Sequence, residues 1–283
     1  MTKGFFSLSE GHTPQKMDFR TSTTIWPVDE LISSEHKAWK QVTEEDSKQG
    51  NRAGARQAHD KGSPYTGTYS VFPMPLAEWM LLRYAGDKGG KVLDSFAGGP
   101  PRALAAYLLG YEYHGIELRN EAIQDNLKFF KKHGLTKNIK YHLGKAQDIC
   151  DFFRDELFDF AYTCPPYWNL EVYSEHEDDL SNVKSYDDFM CGIDDAIKAQ
   201  YSVLKAGAFS CWVVNNFRDK KTSDIYDFRG DLINAAKRAG FTFWQDVILS
   251  KRLGTAAVRA GMYWKNGNYK LVPRHEYLLV FRK

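Results

Sequence analysis

Long apolar runs are missing from this 283-residue chain. None approaches the roughly 18 residues that a membrane-spanning helix needs, and mean hydropathy is −0.51. A transmembrane helix is therefore excluded. The start, Met1-Thr2-Lys3-Gly4, has no apolar signal core. Cysteine is scarce: Cys150, Cys164, Cys191 and Cys211 form no CxxC pair. That excludes a disulfide framework and argues against structural zinc; the expectation is a reduced, cytoplasmic protein with no metal site. An excess of one charge is also lacking, since 38 Lys+Arg face 36 Asp+Glu for a net charge of +2. Attraction to a polyanion must then come from how charge is distributed. Neither GxGxxG nor GxxxxGK[ST] occurs, which removes the dinucleotide fingerprint and the P-loop. There is no internal repeat. Oligomeric state is not legible.

What is present falls into three zones. Residues 1–62 are polar, and Lys37 to Asp60 is crowded with charge and glutamine without a strong apolar face. They are expected to form a solvated, partly flexible arm, or a segment that orders on a ligand or nucleic acid. From residue 63 onward, short apolar strands alternate with helices. Helices are predicted over Pro75–Tyr84, Pro101–Leu109, Asn120–His133, Ala146–Arg154, Tyr186–Leu204 and Gly230–Ala239. Strands are predicted over Lys91–Asp94, Tyr113–Glu117, Ile139–Leu143, Phe158–Tyr162, Ala208–Val214, Phe241–Leu249 and Glu276–Phe281. Such alternation implies right-handed crossovers and an α/β fold. The sheet is expected to be mostly parallel, with helices on both faces and a carboxyl-terminal antiparallel hairpin.

Two constellations carry chemistry. In Val92-Leu93-Asp94-Ser95-Phe96-Ala97-Gly98-Gly99-Pro100, a strand ends, the chain turns on glycines and a helix begins. Glycines admit a ligand to the backbone, and a helix start offers free N–H groups. Glu117 ends the next strand, placed to accept both hydroxyls of a ribose. Together these suggest a nucleoside-bearing cofactor. The second constellation is Thr163-Cys164-Pro165-Pro166-Tyr167-Trp168, directly after a hydrophobic strand. Consecutive prolines hold the chain extended and present carbonyls and aromatic rings rigidly. That suits a flat base; a stiff exit loop would read the same way.

Order and spacing here resemble the DNA amino-methyltransferases, which methylate N6 of adenine or N4 of cytosine. Asp94 to Ala106 is similar to their cofactor motif DPFxGSGTTxxAA. Phe72-Pro73-Met74-Pro75-Leu76 resembles the segment closing over the methionine end of the cofactor. Gly115-Ile116-Glu117-Leu118 resembles the ribose-binding strand end, and Cys164-Pro165-Pro166-Tyr167-Trp168 the catalytic (D/N/S)PPY(W) motif. Lys205-Ala206-Gly207-Ala208 resembles the "KPGG" turn, and His275 to Lys283 the final strand "HEYILVFxK". The resemblance covers residues 70 to 283.

It implies a Rossmann-like methyltransferase domain over 63–283 that uses S-adenosyl-L-methionine on DNA, with RNA a less favoured partner. Phe72, Asp94, Phe96, Ala97, Gly98, Glu117 and Asp148 would hold the cofactor, Asp94 near its methionine amino group. Cys164, Pro165, Pro166 and Tyr167 would be catalytic, with Tyr167 stacking on a flipped base. Three positions depart from the pattern: Pro100 replaces a glycine, Lys145 an acidic residue near the adenine, and Cys164 an Asp, Asn or Ser. SPPYW is the N4-cytosine form and Cys is nearest Ser in size, which favours cytosine. Cys164 could instead be the nucleophile of C5-pyrimidine methylation, and the departures also leave open an RNA or nucleotide enzyme or an inactive binding module. Between Val247 and His275 lie six basic residues and no acidic one, interleaved with Tyr263, Trp264 and Tyr269. Lys251, Arg252, Arg259, Lys265 and Lys270, with Trp168, are the expected nucleic-acid contacts.

Overall fold

The computed structural model describes residues 25–27, 72–170, 172–219, 221–250, 260 and 270–283. The first strand is β1 (Ile25–Pro27). From Phe72 the chain runs α1 (Met74–Tyr84), β2 (Lys91–Asp94), α2 (Pro101–Leu108), β3 (Glu112–Glu117), α3 (Asn120–Lys132) and β4 (Ile139–Leu143). There follow the short α4 (Ile149–Phe152), β5 (Phe158–Thr163), α5 (Tyr186–Val203) and β6 (Leu204–Val214). A small ribbon, β7 (Phe217–Arg218) with β8 (Ile225–Tyr226), precedes α6 (Phe228–Ala239), β9 (Thr242–Ser250) and β10 (His275–Arg282).

The main sheet has eight strands in the order β1-β9-β10-β6-β5-β2-β3-β4. Pairing is parallel from β4 through β6, and β10 runs antiparallel to both β6 and β9. The expected hairpin of the last two strands is therefore present. Strand order reverses at β2, which has β3 on one side and β5 on the other. In open α/β sheets ligands bind at that switch, outside the carboxyl ends of the strands. Both sequence constellations sit there.

Alternation along the strands builds a core on each face. Val92 turns to one face, with Met80, Leu104, Tyr113 and Tyr162. Leu93 turns to the other, with Ile116, Phe189, Ile193, Trp212 and Phe228. Helix ends follow local chemistry. Ser185 caps α5 by accepting from the Asp188 N–H. Asp227 caps α6, so that helix starts two residues before the predicted Gly230, and Gly240 at φ 108° ends it. Strand β6 begins at Leu204 rather than Ala208, since Leu204 already pairs with Phe158 across an irregularity in the ladder.

Most of the expected arm, 1–62, lies outside the described residues. Its described piece is not free: β1 pairs in parallel with β9, Ile25 opposite Ile248. Pro27, which has no N–H to donate, suits such a terminal position.

Candidate active site

Asp94 ends β2 with its side chain fully buried. Its carboxylate takes hydrogen bonds from Arg102 Nε at 2.6 Å, Tyr113 Oη at 2.9 Å and Thr163 Oγ1 at 3.0 Å. The Phe96 N–H adds a longer one at 3.4 Å. This corrects the expectation that Asp94 meets the cofactor's amino group: its acceptors are taken by protein and it does not face the cleft. It acts from beneath, as the anion under the loop. Burial alone would push the Arg102 guanidinium down, but the carboxylate beside it raises it above its ordinary value.

The loop that follows is strapped from several sides. The Phe96 N–H donates to Thr163 Oγ1 at 3.0 Å, and the Ala97 N–H to the Ile116 carbonyl at 2.9 Å. Asn126 of α3, buried, donates to the Gly98 carbonyl at 2.7 Å. Gly98 has φ 55°, the left-handed region that favours glycine. Pro100, by contrast, has φ −73° and starts α2. Proline fits there, so this departure costs the loop nothing.

Glu117 reaches the same loop from β3. Its Oε2 accepts from the Gly98 N–H at 2.9 Å and its Oε1 from the Arg119 N–H at 3.0 Å. Next to it opens a cleft of about 730 Å³. One wall is Leu118 to Glu121 with Leu143 to Lys145 and Asp148; the other is Tyr173 to His176 with Asp178. Lys145 bonds Asp178 at 2.9 Å, tying the two walls together. The acidic stretch after the PPY turn thus borders this cleft. Asp179 fixes it there by accepting from Ser174 Oγ at 2.7 Å and from the Ser181 N–H at 2.9 Å.

A nucleoside fits these residues through Glu117 Oε2, which after the Gly98 N–H keeps one lone pair that the Asp94 oxygens lack. A carboxylate at a strand end, a positive-φ glycine and a cleft beyond them are what a ribose and base require. Gly115 keeps the backbone close, since a Cβ there would meet Ala97 Cβ at 2.8 Å.

The second turn leaves the neighbouring strand. Pro165 is buried, while Cys164, Pro166 and Tyr167 are half-buried. The Tyr167 ring sits edge-on to Phe217 at 6.1 Å and to Phe228 at 6.3 Å. Trp168 is placed differently from expectation. It is 7% exposed, its indole donates to the Val183 carbonyl at 3.0 Å, and its ring packs on Tyr186 and Tyr226. It is a core residue and not a surface for nucleic acid. Its φ of 41° is unusual for a bulky side chain, a strained backbone of the kind that clusters at functional turns.

Thr163 joins the two turns. Its hydroxyl donates to Asp94 and accepts from the Phe96 N–H, and Cys164 follows it directly. Thr163, Arg102 and Asn126 were not singled out in the sequence. Only Arg102 carried a signal there, a charged residue inside an otherwise small and apolar helix start. Of the expected nucleic-acid residues, Lys251, Arg252, Arg259 and Lys265 lie outside the described residues. Lys270 is described, and its Nζ donates to Ser223 Oγ beside the β7–β8 ribbon.

Solved structures share this fold. They include TrmN from Thermus thermophilus (16% identity, TM-score 0.50), matched over 75% of this chain and 49% of that one. This chain thus spans about half the length of TrmN. A putative sarcosine dimethylglycine methyltransferase from Galdieria sulphuraria aligns at 15% identity and TM-score 0.50, over 75% and 86% of the two chains. The [4+2]-cyclase SpnF aligns at 16% and 0.53, over 83% and 94%. Proteins so unlike in name share the fold, which therefore does not fix the reaction. No curated protein matches the chain. Residues 158–283 match the model of the N6/N4 methylase family, described as "DNA methylase". That segment begins at β5 and carries the PPY turn, and over it the chain is similar to the DNA N6/N4 methylase family.

Proposed function

We propose that this protein moves the methyl group of S-adenosylmethionine to the exocyclic amino group of a base flipped out of DNA, cytosine N4 in preference to adenine N6. One observation carries the reading. The turn suited to a flat base and the loop suited to the cofactor hang from a single anchor, Thr163, whose hydroxyl bonds Asp94 at 3.0 Å. The two reactants are then held in one fixed relation, and positioning is most of what this chemistry needs.

The cofactor supplies a sulfonium methyl. Glu117 would hold its ribose hydroxyls, with Gly98, Ala97 and Phe96 beneath and Phe72 beside the methionine end. Asp148 and the cleft walls would take the adenine. On the base side, the Pro165 carbonyl and Cys164 accept the two hydrogens of the target amino group. Those bonds would draw the nitrogen lone pair out of the ring and ready it for the sulfonium methyl that the bound cofactor would supply, with the acceptors beside it positioned to take the proton that the amino group gives up. Tyr167 stacks on the flipped base. The basic segment 251–273 neutralises phosphates.

The test is labelled methyl transfer. Unmodified genomic DNA, with RNA in parallel, is incubated with methyl-labelled cofactor, digested and read by nucleoside mass spectrometry. Label as N4-methylcytosine or N6-methyladenine in DNA is expected. 5-Methylcytosine would instead make Cys164 a nucleophile, and label in RNA alone would move the substrate class.

A further inference from the structure

Arg102 stands where the resembled cofactor motif carries a small hydroxyl residue. It lies in the first turn of α2 and is only 4% exposed. Its Nε is committed to Asp94 at 2.6 Å. Its Nη2 donates to the carbonyls of Phe96 at 2.7 Å and Ala97 at 2.9 Å. Among the described residues, Nη1 has no acceptor. The ring of Phe72 lies over the guanidinium carbon, 4.6 Å from centroid to carbon. A fixed guanidinium with one uncommitted nitrogen therefore sits between the cofactor loop and Phe72. The carboxylate beneath it is fully subscribed.

A ligand carrying an ammonium and a carboxylate meets a spare donor here, and no spare acceptor on Asp94. We infer that Arg102 binds the α-carboxylate of the cofactor's methionine through Nη1. Recognition of the amino-acid end then passes from an aspartate to an arginine. Its planar fork can hold the loop with one edge and a ligand oxygen with the other. Asp94 becomes the counter-ion that makes a buried guanidinium tolerable. This assignment rests on reading the cleft as the S-adenosylmethionine site.

The test is calorimetric titration of the wild-type protein with S-adenosylhomocysteine, its decarboxylated analogue, its deaminated analogue and 5′-methylthioadenosine. Losing one charge-assisted hydrogen bond in a buried site weakens binding about tenfold or more. That loss is expected for the decarboxylated ligand, while removing the amino group costs less than about threefold. Arg102→Gln and Arg102→Lys should weaken S-adenosylhomocysteine about tenfold more than they weaken methylthioadenosine. If deamination costs more than decarboxylation, Asp94 regains the role and the assignment fails. If the variants weaken both ligands equally, Arg102 only positions the loop, and the assignment fails again. The wild-type comparison stands even if the variants do not fold. If the wild type binds none of the four ligands, the cofactor reading itself is overturned and takes this assignment with it.

Discussion

Two charge clusters lie beside strand β3, one at its own start and one at the end of β2, and they are built to opposite rules. At the start of β3, Glu112 accepts from Lys140 at 2.6 Å and from His114 at 2.9 Å. His114 stacks on His142, with ring nitrogens 3.2 Å apart, and Glu156 pairs with Lys91 nearby. Glu112, His114 and Glu156 offer ligand atoms within 4.8 Å of one another. Both glutamates already have a lysine, and the group is read as an ionic network. At the end of β2, Asp94 and Arg102 form one pair, 0% and 5% exposed by side chain. The first cluster is redundant, with its lysines and carboxylates reaching solvent around a buried His114. The second is dry and has no substitute for either member. A half-exposed network is worth little and responds to pH; a buried pair is costly to break and holds a site still.

Breaking the dry pair should have the largest effect. Arg102→Met leaves Asp94 charged and unpaired, and should cost about 3–5 kcal/mol in thermal or denaturant unfolding. Adding Asp94→Asn should recover part of that loss, because no charge is then stranded. If the single variant melts like the wild type, the buried pair does not hold the site. Next comes Gly115→Ala, whose new Cβ would press on Ala97 at 2.8 Å and on the Tyr113 ring. Overpacking there should cost about 1–3 kcal/mol. Cofactor affinity should fall as well, measured by titration.

Acidification probes the cluster at the start of β3. Burial, then the neighbouring His114, lowers His142 from 6.5 to about 4. Burial lowers His114 too. The folded form then binds fewer protons than the unfolded one between those values, so stability falls as pH drops from 6.5 to about 4. Lys140 first, and His114 with it, hold Glu112 down at about 2 against 4.5. Its contribution is present above 4.5 and is lost as pH falls towards 2. With solvent screening, the histidine window should remove on the order of 1–2 kcal/mol, read as the fall in melting temperature. A His142→Gln variant should flatten that slope. The smallest effect belongs to Lys140→Ala, at about 0–1 kcal/mol; a larger loss would mean that cluster is not redundant.

Much of this architecture is legible in the sequence, because it rests on local signals. Apolar alternation marks the strands, and Gly134 and Gly240 stop helices at positive φ. Glu117 is legible because it needs only to end a strand at the right distance from Gly98. What the sequence hides is what depends on sheet order. Thr163 and Asp94 are 69 residues apart, and only the pairing of β2 with β5 makes them neighbours. Asn126 reaches the loop because α3 crosses back over it. Asp94 misleads because its charge and position suit a ligand, whereas burial gives it to Arg102. Trp168 misleads likewise: an aromatic residue after a PPY turn looks available for stacking, and a left-handed backbone turns it inward. The basic segment after Ser250 is plain in composition, but its expected contacts lie largely outside the described residues.

The central claim is that the turn after β5 presents a base to the cofactor held after β2 and β3. It is tested most directly by methyl transfer to DNA from the wild type and from Tyr167→Ala, with S-adenosylhomocysteine binding measured in parallel. Loss of one base-stacking ring should cost about ten- to a hundredfold in transfer. Cofactor affinity should be unchanged, and the wild-type label should sit on an exocyclic nitrogen. Equal transfer by both proteins, or label on a ring carbon, would contradict the account.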